Sequence, residues 1–98
     1  MIKHVFKVEE IQAGKPRAYN FPPNSKVIIN DFHLRKDQVA MVEVSKLKDA
    51  PDTIFVTLYS KFTEIGTVVT EESYVIDLEV MNGIKHYDLR PLKAGDTK

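Results

Sequence analysis

SYVIDLEVMNGIKHYDLR, residues 73–90, consists of two runs of alternating apolar and polar residues on either side of Asn82-Gly83. Asn-Gly favours a two-residue type I′ turn, because both central residues of that turn have positive φ. If Met81 and Ile84 pair across the turn, one face of the predicted hairpin is apolar and requires a core. The members of this apolar face are Tyr74, Ile76, Leu78, Val80, Tyr87 and Leu89.

The opposite face of the predicted hairpin carries its charged residues. In the same register Asp77 lies opposite Asp88, and Glu79 lies opposite His86. Like charges directly opposite each other destabilise a sheet unless they are compensated, and Arg90 on the same face is a candidate for that role. Two interpretations are open. The face is either a carboxylate and imidazole cluster for a metal or cationic ligand, or a solvated face with local ion pairs. The second is the commoner arrangement on an exposed antiparallel face.

The rest of the chain shows the same period of two, which is typical of β-strands. Strands are predicted over residues 2–11, 26–34, 39–47 and 53–62, and a bent or bulged segment over 63–72 around Gly66. The segment 26–34 has apolar residues on both faces near its start and is predicted to be a central strand. Together these patterns predict one all-β domain over residues 1–98. It is a small antiparallel sandwich or barrel of about six to seven strands, closed by the C-terminal Asn-Gly hairpin.

Composition limits the classes of function. The chain has 98 residues, with 14 Lys and Arg balanced by 14 Asp and Glu, and no Cys. A zero formal charge argues against a protein that binds the DNA backbone, so nucleic acid is an unlikely partner. The absence of Cys excludes disulfides and thiolate metal sites. No apolar run resembles a signal peptide or a membrane span, which favours a cytoplasmic protein with no membrane partner.

No catalytic or cofactor motif is present in the sequence. The three histidines, at positions 4, 33 and 86, are isolated, and the four glycines are scattered. No Gly-rich phosphate loop precedes a helix pattern. The sequence therefore predicts a protein that is not an enzyme and that has no metal or other cofactor. A metal-dependent hydrolase built on the charged hairpin face is the less favoured alternative.

Cationic and aromatic residues in and beside the predicted loops suggest a ligand site. Arginine matches phosphate oxygens with its planar fork, and tyrosine rings can stack on a base. The predicted ligand-binding residues are Arg17, Arg35, Lys36 and Arg90 for phosphate, and Tyr19 and Tyr87 for stacking. The alternative is that the aromatic residues anchor the core and the cations are solvated, which is the commoner role of such residues.

The segment around Gly66, with Val68 and Val69, is a candidate exposed edge strand. An uncovered edge favours pairing with another copy, so a homo-oligomer with a ligand site between subunits is one expectation. A monomer whose loops cover the edges is the other.

The order of two motifs resembles a family of small phage-encoded β proteins without assigned activity. The motifs are the proline turn FPPNSKV at residues 21–27 and the closing hairpin, with Tyr74 followed by NGIKHY at residues 82–87. The resemblance implies a viral origin and a non-enzymatic role in the host cytoplasm. It implies binding that blocks a host defence protein or sequesters a nucleotide immune signal. A virion or structural protein-interaction module is the alternative.

Overall fold

The computed structural model describes residues 2–29, 39–61, 63–93 and 95. These residues form eight strands in two four-stranded sheets, in the orders β1-β7-β8-β3 and β2-β4-β5-β6. The strands are β1 (Ile2–Phe6), β2 (Arg17–Asn20), β3 (Lys26–Ile29), β4 (Met41–Ser45), β5 (Ile54–Tyr59), β6 (Glu64–Thr70), β7 (Tyr74–Met81) and β8 (Ile84–Pro91). The all-β prediction is confirmed, and the arrangement is a sandwich. Eight strands exceed the predicted number, and one neighbouring pair, β3 with β8, is parallel.

The C-terminal hairpin provides the two central strands of the first sheet. Its register is the one that the sequence predicts, with Met81 opposite Ile84 and Asp77 opposite Asp88. Asn82 and Gly83 have φ values of 53° and 77°, as a type I′ turn requires. Because β1 pairs with β7 and β3 pairs with β8, this hairpin fixes which residues of the whole sheet face inward.

The core lies between the two sheets. Its buried side chains come mainly from the inward faces of both sheets, and Ile11 joins them from the segment after the 3-10 turn. The largest are Tyr74, Tyr87, Phe6, Ile11, Ile54, Leu58, Ile76 and Leu89. The predicted apolar hairpin face is therefore core, with one exception. Val80 is 59% exposed. The prediction was wrong there because β1 begins opposite Leu78, so β7 continues past the edge of the sandwich.

The first strand is shorter than predicted. It ends at Phe6, and a 3-10 turn follows over Val8–Glu10. The Val8 N–H donates to Ser73 Oγ at 3.0 Å, and Lys46 Nζ donates to the Val8 carbonyl. Side chains thus satisfy backbone groups that a longer strand would have paired in a ladder. Val8 itself remains buried, which explains the apolar periodicity past the end of the strand.

Residues 26–34 were predicted to form a central strand. The described part of this segment is β3 (Lys26–Ile29), which lies at an edge of the first sheet. Val27 and Ile29 are buried, whereas Ile28 is 39% exposed on the outer face. β-Branched composition suggested burial on both sides, but only one face of this strand is covered. Residues 30–34 and the predicted charged turn at 35–38 lie outside the described residues.

The predicted bulge near Gly66 is confirmed. Leu58 pairs with Gly66 and Tyr59 pairs with Glu64, so Ile65 is the extra residue on β6. β6 forms one edge of the second sheet, and β2 forms the other.

Candidate functional site

A cluster of aromatic rings fills the space between the sheets beside β1 and β2. The His4 ring lies 5.1 Å from the Tyr19 ring, measured between centroids. Tyr19 in turn lies 5.4 Å from Phe21 and 5.9 Å from Tyr87. The cluster follows from register, because His4 pairs with inward-facing Ile76, and Tyr19 pairs with inward-facing Val42. Buried Phe21 and Tyr87 form its base, and half-buried His4 and Tyr19 form its outer part.

Arg17 lies at the outer side of this cluster. Two residues before Tyr19 on β2, it shares the inward direction of that ring, and its guanidinium carbon lies 5.2 Å from the centroid of Phe6. Such a cation–π contact is favourable but provides no acceptor oxygen. Within the described part of the chain, no carboxylate forms an ion pair with Arg17. We refer to His4, Arg17 and Tyr19 as the edge site.

The electrostatics of the edge site favour an anion. Burial lowers the pKa of His4, and the positive charge of Arg17 lowers it further. A negative charge bound there would oppose both effects, because it stabilises the protonated imidazole. The edge site is therefore a half-buried position with one fixed positive charge, an imidazole that a bound anion would help to protonate, and an aromatic ring.

Tyr87, which was predicted to stack on a base, lies in the core. It is 2% exposed and packs in the core against the rings of Tyr19 and Phe21. Burial raises the pKa of Tyr87, and the neighbouring Tyr19 raises it further. The reason is its position on the apolar face of the hairpin, where the sandwich covers it. The Tyr87 ring thus lies beneath Tyr19 and supports it.

Arg90, which was also predicted to bind phosphate, is engaged in ion pairs. It lies on the outer face of the first sheet, where Arg90 Nη2 donates to Asp77 Oδ2 at 2.6 Å. Arg90 Nε lies 3.8 Å from Asp88 Oδ2. The guanidinium is thus held between the two facing aspartates, which is the compensation that the charged face required. Odd spacing along β8 places Arg90 and Tyr87 on opposite faces, so the two cannot share one ligand.

The charged hairpin face matches neither sequence interpretation fully. No three His, Asp or Glu side chains among the described residues are placed to hold a metal ion. Yet the face is not simply solvated, because the side chains of Arg90 and Asp77 are only 13% and 15% exposed. A depression of about 260 Å³ lies here, lined by Ile28, Asp77, Glu79, Met81, His86, Tyr87 and Asp88.

The six predicted ligand residues therefore do not form one site. Arg17 and Tyr19 come together, Tyr87 lies beneath them, and Arg90 is on the far side of the sheet. Arg35 and Lys36 lie outside the described residues. The residue that the sequence prediction missed is His4. Its signal was present, since the period of two in β1 places a histidine on the same face as the core residue Phe6.

Comparisons with protein-family models, with curated protein sequences and with solved structures found no match to this chain. The described residues contain no helix that is long and apolar enough to cross a membrane. The fold defines the protein as a two-sheet all-β sandwich, and its function must be argued from the sites themselves.

Proposed function

We propose that the protein is a non-enzymatic binding protein for a phosphate-bearing small molecule, and that the edge site is where the ligand binds. The observation that carries the proposal is the environment of Arg17. This arginine is half-buried, lies over the Phe6 ring, and has no carboxylate partner among the described residues. An arginine with its charge only partly neutralised in such a position attracts an anion strongly, because solvent screens it less than at an exposed position.

The neighbours of Arg17 favour phosphate joined to a planar group. The guanidinium fork matches two phosphate oxygens, and charge-assisted hydrogen bonds of this type are among the strongest in proteins. His4, next to Tyr19, becomes a second donor when it is protonated. The Tyr19 ring offers a surface on which a nucleobase can stack, an interaction worth about 1–3 kcal/mol per base. Nucleotides combine the two groups, and a nucleotide signal of host defence is the member of this class that the phage resemblance implies.

Thermal unfolding in the presence of nucleotides tests the proposal. The ligands are nucleoside monophosphates and cyclic di- and trinucleotides, in a buffer without phosphate. A ligand at 100 times its Kd adds about 2.7 kcal/mol to the free energy of unfolding, which gives a clear rise in Tm. Arg17→Gln should abolish the rise. Lys85→Gln, which removes an exposed cation at the hairpin, should preserve it.

An unchanged Tm with every nucleotide would contradict the proposal. That outcome is what the alternative, a virion or structural protein-interaction module without a small ligand, predicts. A rise in Tm that survives Arg17→Gln would place the binding elsewhere on the molecule and would equally contradict the edge site.

Self-association through β6 is a second part of the proposal. β6 is seven residues long and contains no Lys, Arg or Pro, residues that protect a sheet edge from pairing. Its bulge at Ile65 and its charged Glu64 lie at one end, which leaves residues 66–70 as a regular edge. Val69 on this strand is 59% exposed. Net charge of zero gives little repulsion between copies. We expect β6 to pair with β6 of a second copy.

Sedimentation of the purified protein tests this pairing. A dimer is expected, and Val69→Lys should shift it to a monomer with an unchanged circular-dichroism spectrum. Leu47→Lys, at an exposed apolar residue away from β6, is the matched control and should leave the dimer intact. A monomeric wild-type protein would contradict self-association without bearing on the edge site.

A further inference from the structure

Asp77 and Asp88 face each other directly in the middle of the hairpin, and each has one carboxyl oxygen toward Arg90 and one that is buried without a partner. Oδ2 of each residue lies near the guanidinium of Arg90, at 2.6 Å for Asp77 and 3.8 Å for Asp88. Oδ1 of each residue is buried and has no hydrogen-bond partner. Two buried acceptors without donors are costly, so the arrangement requires an explanation.

We infer that Asp77 and Asp88 share one proton between their Oδ1 atoms, and that the pair carries a single negative charge neutralised by Arg90. One proton satisfies both buried oxygens, because the protonated carboxyl donates and the ionised carboxylate accepts. Paired carboxyl groups in other proteins titrate in this coupled manner.

The proton is assigned mainly to Asp88, because Asp77 holds the shorter contact to Arg90. The pKa of Asp88 is raised by burial and by the charge of Asp77, although Arg90 and Lys93 act in the opposite direction. Other charged or titratable groups near the pair are Lys3, opposite Asp77 on β1, and Lys26 at the start of β3. Glu79 of β7 and His86 of β8 complete the surroundings.

The shared proton makes the first sheet sensitive to pH. A carboxyl group whose pKa is higher in the folded than in the unfolded protein binds more protons when folded. The stability that it contributes is fully present below the unfolded pKa and is lost as pH rises through the folded pKa. The Asp77–Asp88 pair should therefore stabilise the hairpin more at low pH than at high pH, which is the opposite of an ordinary aspartate salt bridge.

Urea unfolding of wild type, Asp88→Asn and Asp77→Asn as a function of pH tests the inference. The introduced amide of Asp88→Asn can replace the shared proton as a donor to Asp77. We expect this variant to have a urea midpoint at neutral pH that equals or exceeds that of wild type, and the difference to vanish in acid. Asp77→Asn should lower the midpoint at neutral pH, since it removes the closer partner of Arg90. His86→Gln is the control for titration of the neighbouring imidazole.

A lower midpoint for Asp88→Asn at neutral pH, similar to that of Asp77→Asn, would overturn the inference, because it would show two ordinary ionised partners of Arg90. Carbon-13 NMR of the side-chain carboxyls in the wild-type protein provides a measurement that needs no variant. The inference predicts that Asp77 and Asp88 report the same two titration steps, one of them above the ordinary aspartate range. Two independent steps within the ordinary range would contradict it.

Discussion

The two arginines Arg17 and Arg90 differ in what surrounds their charge. Arg90, on the outer face of the first sheet, lies between the carboxylates of Asp77 and Asp88. Arg17, at the edge between the sheets, lies over an aromatic ring and has no carboxylate partner among the described residues. An arginine that is paired with carboxylates contributes to the fold, whereas one without a carboxylate partner remains able to bind an anion. Residue type alone, which made both arginines phosphate candidates, does not distinguish them.

Removal of the ring beneath the edge site should have the largest effect on stability. Tyr87→Ala deletes a fully buried aromatic side chain that contacts both Tyr19 and Phe21. We expect a loss of about 3–5 kcal/mol in the free energy of unfolding, measured in urea. Lys85 on the same strand is exposed, and Lys85→Ala should change the free energy of unfolding by less than about 0.5 kcal/mol. A small effect of Tyr87→Ala would mean that this ring is not core and would reopen its predicted role in stacking.

Replacing each arginine with methionine, which keeps the length of the side chain, tests whether Arg90 contributes more to stability than Arg17. Arg90→Met leaves two facing aspartates without their cation and should cost about 2–3 kcal/mol at neutral pH. Among the described residues Arg17→Met removes a cation–π contact with Phe6 and should cost about 1 kcal/mol, clearly less than Arg90→Met. Equal losses in urea unfolding would show that Arg17 has a structural partner and would remove the basis of the edge site.

The smallest expected effect is the pH dependence due to His4. Because the pKa of His4 is lower in the folded protein than the ordinary 6.5, the unfolded chain binds more protons as pH falls below 6.5. The stability contributed by neutral His4 is therefore present above that pH and is lost in mild acid. His4→Gln should flatten this part of the stability profile, and His86→Gln should not. A profile unchanged by His4→Gln would contradict the half-buried position of the imidazole.

The sequence allowed the hairpin to be predicted in detail, because Asn82-Gly83 restricts the turn and the turn sets the register. The same register revealed the conflict between Asp77 and Asp88. The sequence pattern could not show which strand faces are covered by other parts of the chain. Ile28 and Val80 look like core residues in a periodic pattern, yet both are exposed because their strands lie at or beyond the limits of the sheets.

The candidate site was only partly predictable for a related reason. Arg17 and Tyr19 are two residues apart on one strand, so their shared direction follows from the period of two. His4 joins them from another strand and another sheet, and that contact depends on how the two sheets pack. That Arg17 has no carboxylate partner among the described residues is likewise a property of the packed structure, and no local sequence pattern encodes it.

The most direct test of the account is the pKa of His4, followed by NMR with and without adenosine monophosphate in a buffer without phosphate. Burial and the positive charge of Arg17 lower this pKa. If the phosphate binds beside Arg17, it offsets that charge, and the pKa of His4 should rise, whereas the ring resonances of His86, on the opposite face of the first sheet, should not respond to the ligand. Adenosine without phosphate should cause no such rise. An unchanged pKa of His4, or an equal response of the His86 ring resonances, would contradict anion binding at the edge site.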